Sequence, residues 1–261
     1  MDRDTLPTAD GRFLGSVEKA FAVLGAFSAG HPWLGLGEVS RISNIDKNAT
    51  QRILFTLRSL GYLRQDPRSR RYGLSARVLD FGASYLAANK IREVADPILQ
   101  QVNQSCEETV NLTERDGTDV VYVVRYRSRH VVSVDLSVGS RLPVYCTAPG
   151  RAILAHMPEQ EARDLLAKSK LERRTSTTRT DPEEIMASLA EIREKGYCLS
   201  DQDAFLGDIS VAAAVFDDTN LATAAVNIAV PWPQWSVDRV EKELAPIVTD
   251  AARSISLALN R

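Results

Sequence analysis

The sequence predicts an α+β protein in which a winged helix-turn-helix comes first, a linker helix follows, and an α/β domain with an antiparallel sheet closes the chain. Two observations predict this order. Three short amphipathic helical patterns precede an arginine-rich hairpin pattern, and the later residues alternate between strand-like and helix-like segments. We place the three parts at residues 1–75, 76–92 and 93–261.

The first helical pattern lies in "GSVEKAFAVLGAFSAG", between a cap at Ser16 and a stop at Gly30. Its apolar residues recur three and four positions apart, and they are Val17, Ala20, Phe21, Leu24 and Phe27. A shorter pattern follows in "LGEVSRISN", with Leu36, Val39 and Ile42. We expect both helices to turn these side chains toward a common core.

The third helix is predicted to begin after Asp46, a good N-cap, and to end at Gly61. Its predicted inward residues are Ala49, Ile53, Leu54, Leu57 and Leu60. The opposite face carries Asn48, Gln51, Arg52, Phe55 and Ser59, flanked by Lys47 and Arg58. Asn and Gln can bond adenine, Arg can bond guanine, and Phe can contact a thymine methyl group. This face predicts a recognition helix, and the alternative is a solvated face with one stray aromatic ring.

The segment "GYLRQDPRSRRYGLS" predicts a hairpin that turns at Asp66-Pro67. Four arginines surround that single acid, and they would lie on the wing, where they suit phosphate contacts or a narrow minor groove. The predicted DNA-contacting residues are Lys47, Asn48, Thr50, Gln51, Arg52, Phe55, Arg68, Arg70, Arg71 and Tyr72.

The charge distribution supports a polyanion partner for the first part. The net charge of the whole chain is −2, yet residues 41–75 hold 8 basic and 2 acidic residues. A basic segment in an otherwise acidic chain is typical of nucleic-acid binding, although a solvated basic face is also common.

Residues 76–106 continue as helix, with a break expected near Asn89–Lys90. The last part then alternates. Its predicted strands are "TVNLTER", "DVVYVVRYR", "VVSVDLS", "GYCLSDQDAFLGD", "ISVAAAVFDD" and "LATAAVNIAV". Its predicted helices are "TAPGRAILAHM", "PEQEARDLLAK", "DPEEIMASLAEIREKG" and a final one interrupted at Pro246. Hairpins flanked by helices favour a sheet domain that can enclose a small ligand.

One local segment suggests an anion site. In "YCTAPGRAIL", Thr147 can cap a helix whose first turn includes Pro149 and Gly150. The N–H groups at a helix start bind anions, Gly150 permits close approach, and Arg151 adds positive charge. An ordinary capped helix explains the same residues equally well.

Enzyme chemistry finds little support in the sequence. There is no GxSxG, P-loop or HExxH motif, and the carboxylates of "SDQD" fit a polar loop better than a catalytic pair. Three scattered cysteines and three distant histidines favour neither a disulfide framework nor a metal site. We expect no enzyme activity, no cofactor and no metal.

The beginning "MDRDTLPTADGR" is polar and acidic, unlike a signal or transit peptide. No apolar run approaches the ~20 residues that span a bilayer. We therefore expect a cytoplasmic protein without membrane contacts.

The arrangement "SVEKAFAVL … NATQRILFTLRSLGYLRQDPRSRRYGLSARVLDFG" resembles the DNA-binding half of the IclR family of bacterial transcription regulators. The resemblance continues through "VGSRLPVYCTAPGRAILA", "GYCLSDQDAFLGDISVAAAVFDD" and "AAVNIAVP" into the final helix. It implies a GAF-like effector domain and dimers, often paired into tetramers, that bind palindromic operators. It also implies that Arg52 is the basic residue of the recognition helix.

The family's ligand contacts fall by position on residues of the last part, and with the anion site they give the predicted effector-binding set. The set is Val134, Thr147, Ala148, Pro149, Gly150, Ser200, Asp201, Ser210, Asn227 and Ala229. Ser210, Ser200, Asn227 and Ala229 depart from the glyoxylate-responsive member, which argues against glyoxylate. The resemblance to regulators of aromatic-acid and β-ketoadipate catabolism favours an aromatic or dicarboxylic acid. A domain that recruits a protein, and an enzyme with a DNA-binding appendage, are the alternatives.

Overall fold

The computed structural model describes residues 12–129 and 135–260. The chain divides into two compact units, with the boundary between Ala87 and Ala88. The first unit contains four helices and a two-stranded hairpin among its described residues. They are α1 (Gly15–Gly25), α2 (Leu36–Ser43), α3 (Lys47–Ser59), β1 (Leu63–Gln65), β2 (Tyr72–Leu74) and α4 (Leu79–Ala88), with a 3₁₀ turn at Ala76–Val78. This is the winged helix-turn-helix that the sequence predicts.

The core of the first unit forms where the three helices meet the hairpin. Its most buried residues are Val23, Leu34, Val39, Leu54 and Leu63. Between α2 and α3, Asn44 adopts a left-handed backbone conformation with φ 54°, which lets the chain turn sharply into the third helix.

The predicted inward face of the first helix is partly wrong. Val17 and Phe21 are 48% and 65% exposed, while Val23, Ala26 and Phe27 are buried. The helix also ends earlier than expected, at Gly25, and its N-cap is Leu14 instead of Ser16. The apolar residues of α1 cover more than one face, so their spacing alone did not identify the side that packs inward.

The ends of α3 and α4 differ in how well the sequence predicts them. Leu60, expected to face inward, is 52% exposed because it is the C-cap residue of α3 and lies beyond the last buried turn. The break expected near Asn89–Lys90 is present, because α4 ends at Ala88 and the Asn89 side chain caps the next helix by accepting from the Arg92 N–H.

Among its described residues, the second unit contains a six-stranded antiparallel sheet against which helices pack. Its elements are α5 (Lys90–Cys106), β3 (Thr109–Asp116), β4 (Asp119–Tyr126), β5 (Arg141–Pro143), α6 (Ala148–Leu154), α7 (Glu159–Lys168), α8 (Pro182–Lys195), β6 (Cys198–Asp201), β7 (Asp208–Phe216), β8 (Ala222–Pro231), α9 (Val237–Arg239) and α10 (Ala245–Leu259). The strand order is β5-β4-β3-β8-β7-β6.

The register of the central strands places polar residues side by side. Asn111 of β3 lies opposite Arg125 of β4 and opposite Asn227 of β8. Ser210 of β7 lies opposite Ala229 of β8. Since side chains alternate along a strand, these residues share the face of the sheet on which α6 packs. That face holds the candidate site.

One predicted strand differs in the structure, and the final helix agrees with its prediction. In "VVSVDLS", residues 131–134 lie outside the described residues, and Asp135–Ser137 are not in a strand. The final helix is interrupted as expected near Pro246, where a wider π-helical segment, Val240–Leu244, precedes α10. Proline cannot donate a backbone hydrogen bond, which accounts for the irregular turn before it. No helix among residues 12–129 and 135–260 is both long and apolar enough to cross a bilayer.

Candidate DNA-binding surface and effector pocket

The third helix presents the predicted contact residues outward. Asp46 accepts a hydrogen bond from the Ala49 N–H at 2.9 Å and so fixes the start of α3. The exposed side chains of the following turns are Lys47, Asn48, Gln51, Arg52 and Phe55. Phe55 is 61% exposed, an unusual position for a phenylalanine unless it meets a partner.

Thr50 does not belong to this surface, and its prediction as a DNA contact is wrong. The residue is fully buried, and its hydroxyl donates to the carbonyl oxygens of Asp46 and Ile45 at 2.9 and 3.2 Å. Thr50 therefore stabilises the turn between the second and third helices.

The loop of the hairpin is held by the carboxylate of Asp66. That group accepts from the Arg68 N–H at 3.0 Å and from the Ser69 N–H at 2.6 Å. The hydrogen bond from the Ser69 backbone is the main reason why the pKa of Asp66 is lowered. The bracing leaves Arg68 and Arg70 exposed at the tip, where they can reach a phosphate.

Arg71 and Tyr72 have structural contacts in addition to their predicted role. Arg71 donates to the Trp33 carbonyl oxygen at 2.9 Å and pairs with Glu38 at 3.2 Å. Tyr72 is half-buried against the core, and its backbone pairs with Leu34. These contacts attach the wing to the segment that leads into α2.

Sequence reasoning missed the connection between the third helix and the wing. The Arg58 guanidinium donates to the Gln65 side-chain oxygen at 2.6 Å and lies 5.7 Å from the centre of the Phe55 ring. Gln65 in turn donates to the Arg70 carbonyl oxygen at 2.9 Å. Phe55, Arg58 and the wing tip are thus held as one surface.

In the second unit, a cavity of about 240 Å³ lies on the α6 side of the sheet. Its size suits a small molecule. Seven residues of the predicted effector set line it, namely Thr147, Ala148, Pro149, Ser200, Ser210, Asn227 and Ala229. Val134 lies outside the described residues.

Gly150 and Asp201 do not line the cavity. A Cβ on Gly150 would lie 2.3 Å from the Val144 carbonyl oxygen, so the close approach at this glycine is made by the protein's own backbone. Asp201 is exposed because it alternates with Ser200 along β6 and faces the other way. Both predictions of ligand contact are wrong.

The predicted anion site at the start of α6 is also weaker than expected. The Gly150 N–H donates to the Thr147 hydroxyl at 3.3 Å, and Pro149 has no N–H. Arg151, expected to add charge, is 1% exposed and forms a buried ion pair with Asp203. Asp203 also accepts from the Ser200 hydroxyl at 3.2 Å. The capped-helix interpretation therefore describes this turn better.

A hydrogen-bonded row across four strands supplies polar groups instead. Arg125 donates to Asn111 Oδ1 at 2.8 Å, and Asn111 Nδ2 donates to Asn227 Oδ1 at 3.2 Å. Asn227 Nδ2 then donates to Ser210 Oγ at 2.9 Å. All four residues line the cavity.

The direction in which these hydrogen bonds are donated follows from the donor at the start of the row, Arg125. Arginine has only donors, so its bond to Asn111 fixes which side of that amide accepts, and each following amide inherits its orientation. Ser210 accepts at the end of the row, and its own hydrogen is then available to another acceptor. Neither Arg125 nor Asn111 was predicted from the sequence, although each is a polar residue inside an apolar strand.

Two acidic residues also line the cavity, and sequence reasoning missed both. Burial raises the pKa of Asp208 to about 6, although the positive charge of Arg125 opposes that rise. Glu108 is 4% exposed, and its Oε1 accepts from the Trp235 ring N–H at 2.8 Å. The cavity therefore combines one cation, two acids and several hydroxyl and amide groups.

The structure offers little for covalent or metal chemistry. Within the described ranges, no group of three or more His, Cys, Asp or Glu residues could hold a metal ion. Cys146 and Cys198 are buried, and burial raises the pKa of Cys146 to about 11, which keeps that thiol protonated and weakly nucleophilic.

Comparison with known proteins follows the division into two units. The family model described as "Bacterial transcriptional regulator IclR C-terminal" matches residues 83–257, and "IclR helix-turn-helix domain" matches residues 16–67. The Pca regulon regulatory protein of Pseudomonas putida is 33% identical over 95% of this chain and 85% of its own length.

Solved structures resemble the fold as a whole. An IclR transcriptional regulator from Alicyclobacillus acidocaldarius has a TM-score of 0.83 at 28% identity, covering 95% of this chain and all of that one. An IclR homolog from Microbacterium hydrocarbonoxydans, solved in complex with 4-hydroxybenzoate, has a TM-score of 0.77 at 23% identity, covering 94% of this chain and 98% of that one.

Proposed function

Because the chain belongs to the IclR family of bacterial transcriptional regulators, we propose that it binds a palindromic operator as a homodimer or homotetramer and responds to a small organic acid. The acid is aromatic or dicarboxylic and binds in the cavity of the second unit. The regulated genes then serve catabolism of that acid. DNA binding by the first unit and effector binding by the second are the two halves of this function.

The observation that carries the proposal is the outward face of α3 beside the braced wing. Asn48, Gln51 and Arg52 offer the amide and guanidinium groups that read adenine and guanine in the major groove. Arg68 and Arg70, at the wing tip, suit the backbone or the minor groove. Phe55, supported by Arg58, adds an apolar ring to this face that can contact a thymine methyl group.

The chemistry of the cavity supports an anionic effector. Arg125 supplies positive charge, and the row that it orients leaves the Ser210 hydroxyl able to donate to a carboxylate. The IclR homolog crystallised with 4-hydroxybenzoate and the similarity to a Pca regulon regulator make an aromatic acid the first candidate.

Exposed apolar residues of the first unit support self-association. They lie on α1 and α4 or beside α1, and they are Leu14, Val17, Phe21, Leu79, Phe81 and Tyr85, each between 48% and 68% exposed. A second copy of the same surface would cover them from water. This would also place two recognition helices on one operator, as a palindrome requires.

The cavity argues against the two alternative functions. A domain that only recruits a protein would not need a ligand-sized space lined by an ordered polar row. An enzyme with a DNA-binding appendage would need an activated nucleophile or a metal, whereas burial keeps the Cys146 thiol, next to the lining residue Thr147, protonated.

The DNA half is tested on an operator selected from random DNA by the full-length protein. Gln51→Ala and Arg52→Ala should each lose about 1–3 kcal/mol of operator binding and relax the preference at one base position. Arg68→Ala and Arg70→Ala should weaken binding to every sequence and flatten its salt dependence. Arg253→Ala is the control, since that arginine is 68% exposed and lies in the other unit.

Equal losses on operator and unrelated DNA for all four variants would contradict the assignment of base and phosphate contacts. An unchanged operator affinity in all four would contradict DNA binding through this surface.

The effector half is tested by calorimetry with benzoates and aliphatic mono- and dicarboxylates, together with operator release by each acid that binds. A ligand shifts the DNA-binding equilibrium only if it binds one state more tightly than the other. Asn227→Ala and Ser210→Ala should weaken the binding of the active acid. Binding that neither variant changes would count against this cavity.

A further inference from the structure

Glu108 is a buried acid whose second oxygen has no hydrogen-bond partner among the residues that the structure describes. The side chain is 4% exposed and lies just before β3, at the wall of the cavity. Its Oε1 accepts from the Trp235 ring N–H at 2.8 Å, whereas Oε2 is buried and accepts no hydrogen bond from any residue that the structure describes.

The surroundings hold this carboxylate in place. Trp235 is 8% exposed, and the Arg239 guanidinium lies 3.7 Å from the centre of its ring. The Glu108 carbonyl oxygen accepts from the Asn103 amide at 2.7 Å. Trp235 therefore holds the carboxylate, and Asn103 holds the backbone from which the side chain extends.

An acceptor left without a donor in such a place is unfavourable. A buried polar group that lacks its hydrogen bond destabilises the fold, and a charged one does so more strongly. A donor that enters the cavity would remove this penalty on binding.

Charge also determines which end of the ligand can approach Glu108. A carboxylate would be repelled there, whereas the Ser210 hydroxyl, at the other side of the cavity, can donate a hydrogen bond to it. The two sides are separated by two strand spacings, since Ala229 lies opposite both Thr109, next to Glu108, and Ser210. That separation is about 9.5 Å between backbones, and the side chains that project inward shorten it.

We propose that Glu108 is a specificity-determining residue that binds a hydrogen-bond donor of the effector, so that the effector is an acid with a hydroxyl or amino group remote from its carboxylate. The inference rests on the proposed function of the cavity and adds the recognition of a donor to it. It predicts that acids without a donor bind more weakly than their hydroxylated counterparts.

The test is calorimetry on the full-length protein with matched acids. The probes are benzoate, 3- and 4-hydroxybenzoate, their methoxy counterparts and 4-aminobenzoate, with butyrate and 3-hydroxybutyrate as an aliphatic pair. We expect at least one hydroxylated acid to bind about tenfold or more tightly than both its unsubstituted and its methoxy counterpart. Binding of 4-aminobenzoate distinguishes an amine from a hydroxyl as the donor.

Glu108→Gln is the decisive variant, because its side-chain oxygen can still accept from Trp235 while an NH₂ group replaces Oε2. The preference for the donor should disappear, so that hydroxylated and unsubstituted acids bind the variant with affinities within about twofold of each other. Glu114→Gln is the control, since that glutamate lies on β3, the strand that follows Glu108, and does not line the cavity.

The outcomes separate the two proposals. If acids bind without any preference for a donor, or if Glu108→Gln keeps that preference, the role of Glu108 is overturned while the effector pocket stands. If no acid binds the parent protein, the organic-acid effector is overturned and this role with it. Should the variant fail to fold, a crystal structure of the parent protein with its tightest acid decides, because the donor must lie at hydrogen-bond distance from Oε2.

Discussion

Replacing Asp208 with asparagine should stabilise the second unit, and the gain should depend on pH. Asp208 faces the cavity, where burial disfavours its charged form and raises its pKa from 3.8 to about 6, against the opposing charge of Arg125. Asparagine has nearly the same shape and stays neutral at every pH. The variant therefore removes the cost of the buried charge and leaves the packing unchanged.

The size and sign of the effect follow from linkage between ionisation and folding. Because the folded-state pKa is raised, the cost is absent below pH 3.8 and fully present above pH 6. A rise of about two pKa units corresponds to about 3 kcal/mol. Asp208 is only partly buried, so solvent screens the charge, and we expect roughly half of that, about 1.5 kcal/mol at pH 7.5. At pH 5 the folded carboxyl is still largely protonated, and the gain should fall to about 0.8 kcal/mol.

The measurement is urea unfolding of the parent protein and of Asp208→Asn at both pH values, followed by circular dichroism. Asp201→Asn serves as the control because that carboxylate is exposed on the neighbouring strand. A gain of the same size at pH 5 and pH 7.5 would refute the reasoning, since the benefit would then come from packing. A loss of stability at pH 7.5 would show that the attraction to Arg125 outweighs the burial.

Two further substitutions test the packing around α6. Gly150→Ala should cost about 3 kcal/mol or more in unfolding free energy, because the new methyl group would lie 2.3 Å from a backbone carbonyl oxygen. Gly82→Ala, on an open helical position, should be neutral or slightly stabilising, so equal effects of the two would contradict the clash. Asp203→Ala should cost about 3–5 kcal/mol of unfolding free energy, because it leaves Arg151 buried without its partner. In the same urea-unfolding assay, Asp201→Ala should change the unfolding free energy by less than about 0.5 kcal/mol. Similar losses for both aspartates would contradict the buried pair.

The helices that the sequence predicts well are those with local start and stop signals. Asp46 caps α3 and Asp181 caps α8, as their positions indicate, and Gly196 ends α8 in a left-handed conformation. Caps and helical spacing involve residues within one or two turns, so the sequence alone contains the information. The exposed face of α3 follows from the same local pattern.

Several of the errors concern residues whose partner is distant along the chain. Arg151 looks like a surface charge beside a helix start, yet it is buried because Asp203 lies 52 residues later and meets it in the fold. Gly150 looks like an opening for a ligand, yet Val144 fills the space. Spacing cannot show which neighbour covers a helix, and the outward Phe21 has the same explanation.

The polar row shows what kind of signal a single sequence still contains. Asn111, Arg125 and Asn227 each interrupt an apolar strand, where a polar side chain is unfavourable unless it is hydrogen-bonded. Three such interruptions in three strands indicate a shared network even before their partners are known. The sequence does not contain the strand register that brings these three residues together. A shift of that register by one residue would turn each polar side chain to the opposite face of the sheet. The polar row that lines the cavity is therefore a consequence of strand pairing, and its order depends on residues that contact one another across four strands.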